Sequence, residues 1–336
     1  MVDAASDNRK TPLAFGSRLG LRQSPAALIG RYGALLVLAG LILYFSLASP
    51  YFMNARNMVQ IINQAALGCI VAGGLTIVLA GGHFDLSIGY MASLSGVIVA
   101  NLMAADVPVP VAMGVAIASG VIAGAVNGFL VTKLEIHALV ATLGTGSLLV
   151  GVNYLLSSGV ATSIAGIRPE FMSIAIGNWL GVPRPVYYMV IMSLILWAIL
   201  SKTDFGRNVR AVGGNVEAAM LSGVPIKRVV TLTFVISGVC AAVTGVLLAS
   251  TVGSGQPNGG DGYTLTSFAA AFVGSTVLRE GQFHVFGTIV GGVTVAAGFN
   301  GLALIGVPPF VQYLFQGLLL IAAVALSSAG RRWSRG

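Results

Sequence analysis

The chain has 336 residues, 56% of them hydrophobic and only 8% charged, with a mean hydropathy of +0.91. A soluble domain carries about 25% charged residues, so there is too little charge here to cover a globular surface, and an integral membrane protein is expected. The net charge of +8 does not point to nucleic acid. No aromatic residues interleave with the basic ones, and basic residues collect in the cytoplasmic loops of membrane proteins.

Residues 1–32 are polar and basic, with no apolar core or cleavage site, and read as a cytoplasmic tail, not a signal peptide. Ten apolar runs follow: Gly33–Ser49, Met58–Ala80, Leu86–Met103, Val109–Val131, Ala138–Ser157, Val186–Leu200, Val229–Ser250, Leu265–Leu278, Val285–Ile305 and Phe310–Leu326. They are continuous, without the alternation of barrel strands, so an all-α polytopic bundle of about ten transmembrane helices is expected over residues 33–328. Residues 329–336 form a second cytoplasmic tail. Leu265–Leu278 is short for a span of about 20 residues and is expected to be tilted, broken or re-entrant. Cys69 and Cys240 lie inside apolar runs without a CxxC or nearby histidines, which makes them packed thiols.

Orientation follows from Lys and Arg. With the N-terminus inside, fifteen fall on the cytoplasmic side: Arg9, Lys10, Arg18, Arg22, Arg31, Lys133, Lys202, Arg207, Arg210, Lys227, Arg228, Arg279, Arg331, Arg332 and Arg335. Only Arg56, Arg168 and Arg184 fall outside. That asymmetry places both termini in the cytoplasm. The segment 127-NGFLVTKLEIHALVATLGTGSLL-149 is similar to 300-NGLALIGVPPFVQYLFQGLLLI-321. The two connectors face opposite sides, so inverted repeats over spans 2–5 and 7–10 are expected, an arrangement that places a substrate route at the repeat interface. The competing reading is that Gly-rich helices are alike in composition.

The central cytoplasmic loop is 202-KTDFGRNVRAVGGNVEAAMLSGVPIKR-228. Gly213-Gly214 is expected to be a flexible lead-in and Asn215 an N-cap. Glu217 suits the first turn of a helix. Gly223 supplies a left-handed C-cap and Pro225 forbids continuation. A helix of two turns is marginal alone in water, so it needs a surface to dock on, and Ala218, Met220 and Leu221 offer an apolar face. It is either a linker packed on its own bundle or a docking helix for a cytoplasmic partner.

Within the spans the uncharged hydrogen-bonding groups are Asn63, Gln64, Asn127, Thr142, Thr145, Asn153, Asn300 and Gln312. Each either lines a route for a polar solute or pairs with a neighbouring helix. The polar loops 253-GSGQPNGGDGYT-264 and 159–184 lie outside and are either docking surfaces or solvated connectors. Three scattered histidines and no paired carboxylates give no catalytic or metal-binding constellation.

Glu217-Ala218-Ala219 followed by Gly223 resembles the EAA loop of ABC importer permeases. The flanks 203-TDFGRNVRAVGGN-215 and 222-SGVPIKRV-229 are similar to those of the ribose-type branch, which serves simple sugars. The resemblance runs over residues 50–328 and includes 73-GGLTIVLAGG-82 with Asp85-Leu86-Ser87-Ile88-Gly89, 127-NGFLVTK-133, 141-ATLGTGSL-148, 257-PNGGDGYTL-265 and 298-GFNGL-302. His83-Phe84 stand where the family has a single residue. The resemblance implies a non-catalytic subunit of the bacterial inner membrane, working by alternating access. It also implies three partners: a cytoplasmic ABC ATPase engaged through Glu217, Ala218, Ala219 and Gly223, a periplasmic sugar-binding protein, and a second permease copy or paralogue. The chain has no G-x-x-x-x-G-K-[ST] phosphate loop, so ATP and its Mg belong to the partner ATPase and no cofactor is expected on this chain.

The alternative is an ion-coupled secondary transporter of a small polar solute. It needs protonatable groups at mid-membrane, and the only candidates are Asp85 and His83. Counting spans puts 80-AGGHFDLSIG-89 at the cytoplasmic boundary instead. There Gly81-Gly82 end one helix and Asp85 caps the next through the N–H of Ser87 or Ile88, or it serves as a gate.

Overall fold

A computed structural model describes residues 25–164, 166, 168–276 and 282–333 of the chain. The calls on residues 1–24, on Arg279 and on residues 334–336 lie outside the described residues.

Ten apolar helices account for the ten apolar runs: α1 (Pro25–Ala48), α2 (Ala55–Ala80), α3 (Ile88–Ala104), α4 (Val109–Thr132), α5 (Ala138–Ser157), α7 (Arg184–Lys202), α10 (Ile226–Val252), α11 (Tyr263–Gly274), α12 (Val285–Leu304) and α13 (Phe310–Trp333). Three short helices join them: α6 (Pro169–Ala175), α8 (Asp204–Gly214) and α9 (Val216–Leu221). Six helices, α2, α4, α5, α7, α10 and α12, are long and apolar enough to cross a membrane. The 26 residues of α2 reach about 39 Å at 1.5 Å per residue. The 12 residues of α11 reach about 18 Å, short of a hydrocarbon core of about 30 Å.

Helix ends follow local chemistry. Asn54 Oδ1 accepts from the N–H of Arg56 at the start of α2 (2.9 Å). Pro110 and Pro185 sit in the first turns of α4 and α7, where a missing N–H costs nothing.

The core is built around α2, α3, α10 and α11, whose Val71, Leu75, Met91, Ala241, Phe268 and Phe272 form one buried cluster. Helix α10 packs along α4, α3 and α2, while α2 packs in turn on α12, α7 and α11. The contact of α4 with α10 is backbone to backbone. A Cβ at Gly120 or Gly124 would run into the carbonyls of Gly238 and Phe234, and one at Gly128 would meet Thr231. Small residues at four-residue spacing give helices this approach in lipid. Helices α4, α5 and α7 turn mostly exposed apolar faces outward, with Ile122, Leu148 and Ile191 among them.

At one end of the bundle β1 (Thr162–Ser163) pairs antiparallel with β4 (Ser254–Gly255), tying together the two polar loops that follow α5 and α10. A second small hairpin joins β2 (Asn178–Trp179) to β3 (Val182–Pro183).

Candidate functional site

The central loop carries two helices where one is expected. Thr203 Oγ1 accepts from the N–H of Gly206 (3.1 Å) and starts α8, which buries Val209 and Val212 against α2, α7 and α10. Gly213-Gly214 is therefore not a flexible lead-in. It is the last turn of α8, and Gly213 lies so close to α2 that a Cβ there would run into the carbonyl of Ala80.

Helix α9 follows directly. Asn215 Oδ1 accepts from the N–H of Ala218 (3.0 Å). At its other end Gly223 has φ +80°, the Val224 N–H donates to Ala219 and the Gly223 N–H to Met220, which is a Schellman stop. The buried face is Ala219, not the trio of Ala218, Met220 and Leu221. Those three are exposed, Leu221 at 87% and Met220 at 61%. Glu217 is exposed beside them.

Next to α8 lies the turn Gly81–Ser87. Gly82 has φ +81° and faces Gly213. Asp85 is 1% exposed. Its Oδ1 accepts from the N–H of Ser87 (3.0 Å) and from Ser87 Oγ (2.6 Å), and its Oδ2 accepts from Ser237 Oγ on α10 (2.9 Å). Burial pushes this carboxyl above the usual carboxylate range, and the Ser87 and Ser237 hydrogen bonds oppose that rise. Ser87 Oγ also accepts from Asn127 Nδ2 on α4 (2.9 Å), and the Leu86 N–H donates to Thr142 Oγ1 on α5 (3.1 Å). The turn thus touches α8 and bonds to α4, α5 and α10. His83-Phe84 wedge into it: the imidazole sits edge-on to Phe234 and Phe84 stacks on Phe268.

Asp261, in the loop before α11, has a related setting. It also follows a Gly-Gly pair, and Ser93 Oγ on α3 donates to its Oδ1 (2.7 Å) while accepting from the N–H of Gly260 (2.9 Å). Neither Ser93 nor Ser237 stands out in sequence, because a lone serine in an apolar helix has no local signal.

The eight polar candidates do not converge on one place. Asn127 and Thr142 belong to the Asp85 network. Among the described residues Thr145 donates only to Ala141 in its own helix (2.9 Å). Asn153 Nδ2 donates to Pro257 at the polar loop (2.6 Å). Asn300 exchanges amide bonds with Asn57, a residue outside the candidate list, in both directions (2.9 and 3.0 Å). Asn63 Oδ1 is buried without a partner among the described residues. Gln64 and Gln312 line one cleft of about 280 Å³ between α2, α11, α12 and α13, with Tyr263, Thr266 and Phe299. Among the described residues no group of His, Cys, Asp and Glu could hold a metal ion.

A family model described as the permease component of the branched-chain amino acid transport system matches residues 57–324. The chain belongs to this permease family. The L-arabinose transport system permease protein of Escherichia coli (strain K12) is 36% identical over 295 residues, covering 88% of this permease and 89% of that protein. The D-allose transport system permease protein of the same organism is 34% identical over 298 residues, covering 88% and 91%. The ribose import permease protein of Bacillus subtilis (strain 168) is 33% identical over 296 residues, covering 88% and 92%. No solved structure matches. The chain is an inner-membrane transport permease, and its family gives no support to the ion-coupled carrier.

Proposed function

We propose that this permease is the membrane-spanning subunit of an ATP-driven, binding-protein-dependent importer of a simple sugar or sugar-like solute, working by alternating access. The observation that carries the substrate class is the set of relatives named for arabinose, allose and ribose, each matched along nearly its whole length. The family description names amino acids as well, but an amino acid brings two charges. Among the described residues that line the cleft holding Gln64 and Gln312 there is no Lys, Arg, Asp or Glu, which suits a neutral polyol.

In this reading all ten apolar helices lie in the membrane with both termini cytoplasmic, as the Lys and Arg distribution favours. Inverted repeats over α2–α5 and α10–α13 are supported by an exchange of neighbours. Helix α10 packs on α3 and α4, while α2 packs on α11 and α12. Asp85 takes its hydrogen bond from α10 of the other half, and Asp261 takes its own from α3. Met220, Leu221 and Glu217 on α9 would meet a cytoplasmic ATPase, which holds the ATP and Mg. The stitched loops at the other end would meet a periplasmic sugar-binding protein, and a second permease copy or paralogue would complete the pathway. Asp85 caps a turn that leans on α8, so movement of α9 would pass through Gly213 and Gly82 into α4, α5 and α10.

The test is reconstitution in proteoliposomes with the ATPase and binding protein. Uptake of arabinose, ribose or allose that requires both partners and ATP is expected. Uptake by the purified chain alone, driven by a proton or sodium gradient, would overturn the reading.

A further inference from the structure

The cleft between α2, α11, α12 and α13 joins two side chains that the rest of the molecule leaves without work. Among the described residues, neither Gln64 nor Gln312 makes a side-chain hydrogen bond, although Gln64 is exposed and Gln312 half-buried on helices of low charge. An amide at an exposed position of a membrane helix is costly against lipid. Gln60, one turn earlier on the same face of α2, is exposed as well. A stripe of this kind calls for water or a polar ligand opposite it.

The remaining lining completes the chemistry. Thr266 Oγ1 is fixed by Gln316 Nε2 (2.9 Å) and by its own donation to the Gly262 carbonyl (2.9 Å). Tyr263 and Phe299 add aromatic side chains. Amides that both donate and accept, beside aromatic rings, match a monosaccharide, which has hydroxyls around its rim and C–H faces above and below. The volume of about 280 Å³ falls just under the roughly 300–1,000 Å³ of drug-sized pockets, so it suits one pentose or hexose and not an oligosaccharide. Gly68 forms part of the wall. A Cβ there would stand 3.8 Å from the Tyr263 ring and 3.9 Å from the Thr266 methyl, so the wall accepts a methyl group while the cleft narrows.

We propose that this cleft is an acceptor site for a neutral monosaccharide on its way through the permease, with Gln64 and Gln312 reading the hydroxyls and Tyr263 and Phe299 stacking on the ring. The proposal rests on the sugar-importer reading above. In the topology of that reading, the ends of the helices that carry these residues face outward, where a binding protein releases its load.

The test uses the complete transporter in nanodiscs and proteoliposomes. Gln64→Cys should react with a charged, membrane-impermeant maleimide in at least one nucleotide state of the complex. No reaction in any state means that lipid or a neighbouring permease covers the cleft, and overturns the proposal whatever solute is carried. Gln64→Leu, Gln312→Leu and Gly68→Ala should each lower sugar uptake at least tenfold, while ATP hydrolysis stimulated by the binding protein stays within twofold of wild type. Gln64→Asn should recover part of the uptake. Unchanged uptake in all three variants overturns the site and leaves the importer reading standing. Joint loss of uptake, stimulated hydrolysis and assembly assigns the cleft to an interface between permeases and also overturns the proposal. Failure of the wild-type complex to use ATP counts against the importer reading, while the maleimide result still decides whether the cleft is a wet site.

Discussion

Ser237, near the middle of α10, donates its hydroxyl to Oδ2 of Asp85 at 2.9 Å across 152 positions of sequence. The other carboxylate oxygen is occupied by Ser87, which itself holds the N-cap position of α3 without a side-chain cap bond. Asp85 therefore does not cap that helix as expected; its carboxylate closes the turn before it and bonds the two halves of the chain. Its partners are hydroxyls and an amide, and none is a cation, so the geometry asks for acceptor oxygens more than for charge. Asp85→Asn should therefore keep most transport and cost about 1 kcal/mol or less in stability, since the amide oxygen still accepts from Ser87 and the Ser237 hydroxyl can turn to accept. Asp85→Leu leaves three donors without a partner in a buried site and should cost at least about 3 kcal/mol. Thermal unfolding in detergent and uptake by the reconstituted transporter measure both. Complete loss of uptake by the Asn variant with unchanged stability would assign the negative charge itself a role.

The seam between α4 and α10 makes a contrast within one residue type. Gly124→Val must push its side chain into the Phe234 carbonyl and the Val235 backbone, and should cost at least about 3 kcal/mol through overpacking that a rigid helix pair cannot relieve. Gly114, on the same α4, has nothing within 4 Å of where its Cβ would stand. Gly114→Ala should be neutral or stabilising by up to about 1 kcal/mol, because it improves helix propensity at no steric cost. Melting temperature and monodispersity of the purified variants separate the two, and equal effects would mean that the seam is not the close contact described here.

Much of this architecture is legible in the sequence because a chain with so little charge has few ways to satisfy its backbone. Continuous apolar runs must be helices, and each of the ten is one. The limits of α9 are equally legible, since Asn215 and Gly223 act through neighbours three and four residues away. Helix α8 is not. The stretch 203-TDFGRNVRAVGG-214 ends in two glycines, which locally favour a linker, and it is helical because Val209 and Val212 find a surface on α2, α7 and α10. The candidate site divides along the same line. Gln64 and Gln312 can be singled out as amides in apolar helices, but their lining of one cleft depends on how α2 and α13 are placed around α11. Ser93 and Ser237 reach Asp261 and Asp85, and Asn57 reaches Asn300, across more than a hundred positions, which no local pattern records.

The amide pair of Asn57 and Asn300 is a self-contained unit that joins α2 to α12. Each side chain donates to and accepts from the other, and Asn57 Nδ2 also caps the Phe52 carbonyl (2.9 Å). Removing either partner strands the other. Asn57→Leu and Asn300→Leu should each destabilise by about 1–2 kcal/mol, and the double variant should cost less than their sum, with a coupling of about 1 kcal/mol typical of hydrogen bonds between membrane helices. A double-mutant cycle on unfolding in detergent measures it. Additive losses would show that the two amides act independently, whatever their geometry.

Helix α9 carries the last prediction, because its exposed and buried faces make opposite demands. Ala219 packs inward at 4% exposure, and Gly223 holds a left-handed φ of +80°. Gly223→Ala should lose about 1 kcal/mol of local stability, the cost of that conformation for a residue with a Cβ. Met220 and Leu221 point away from the bundle, and so does Glu217. A Met220→Ser, Leu221→Ser variant should leave the melting temperature of the isolated permease unchanged, within about 0.5 kcal/mol, as for other surface substitutions. The same variant should weaken association with the ATPase at least tenfold, a loss of about 1.4 kcal/mol. Glu217→Ala should keep more of the association but reduce the ATP hydrolysis that the binding protein stimulates, since the carboxylate is not part of the apolar contact. Co-purification and stimulated hydrolysis report the two effects separately. If the double Ser variant instead melts early while its ATPase association is unchanged, α9 is a packed linker of its own bundle and the coupling contact must be sought elsewhere on the permease.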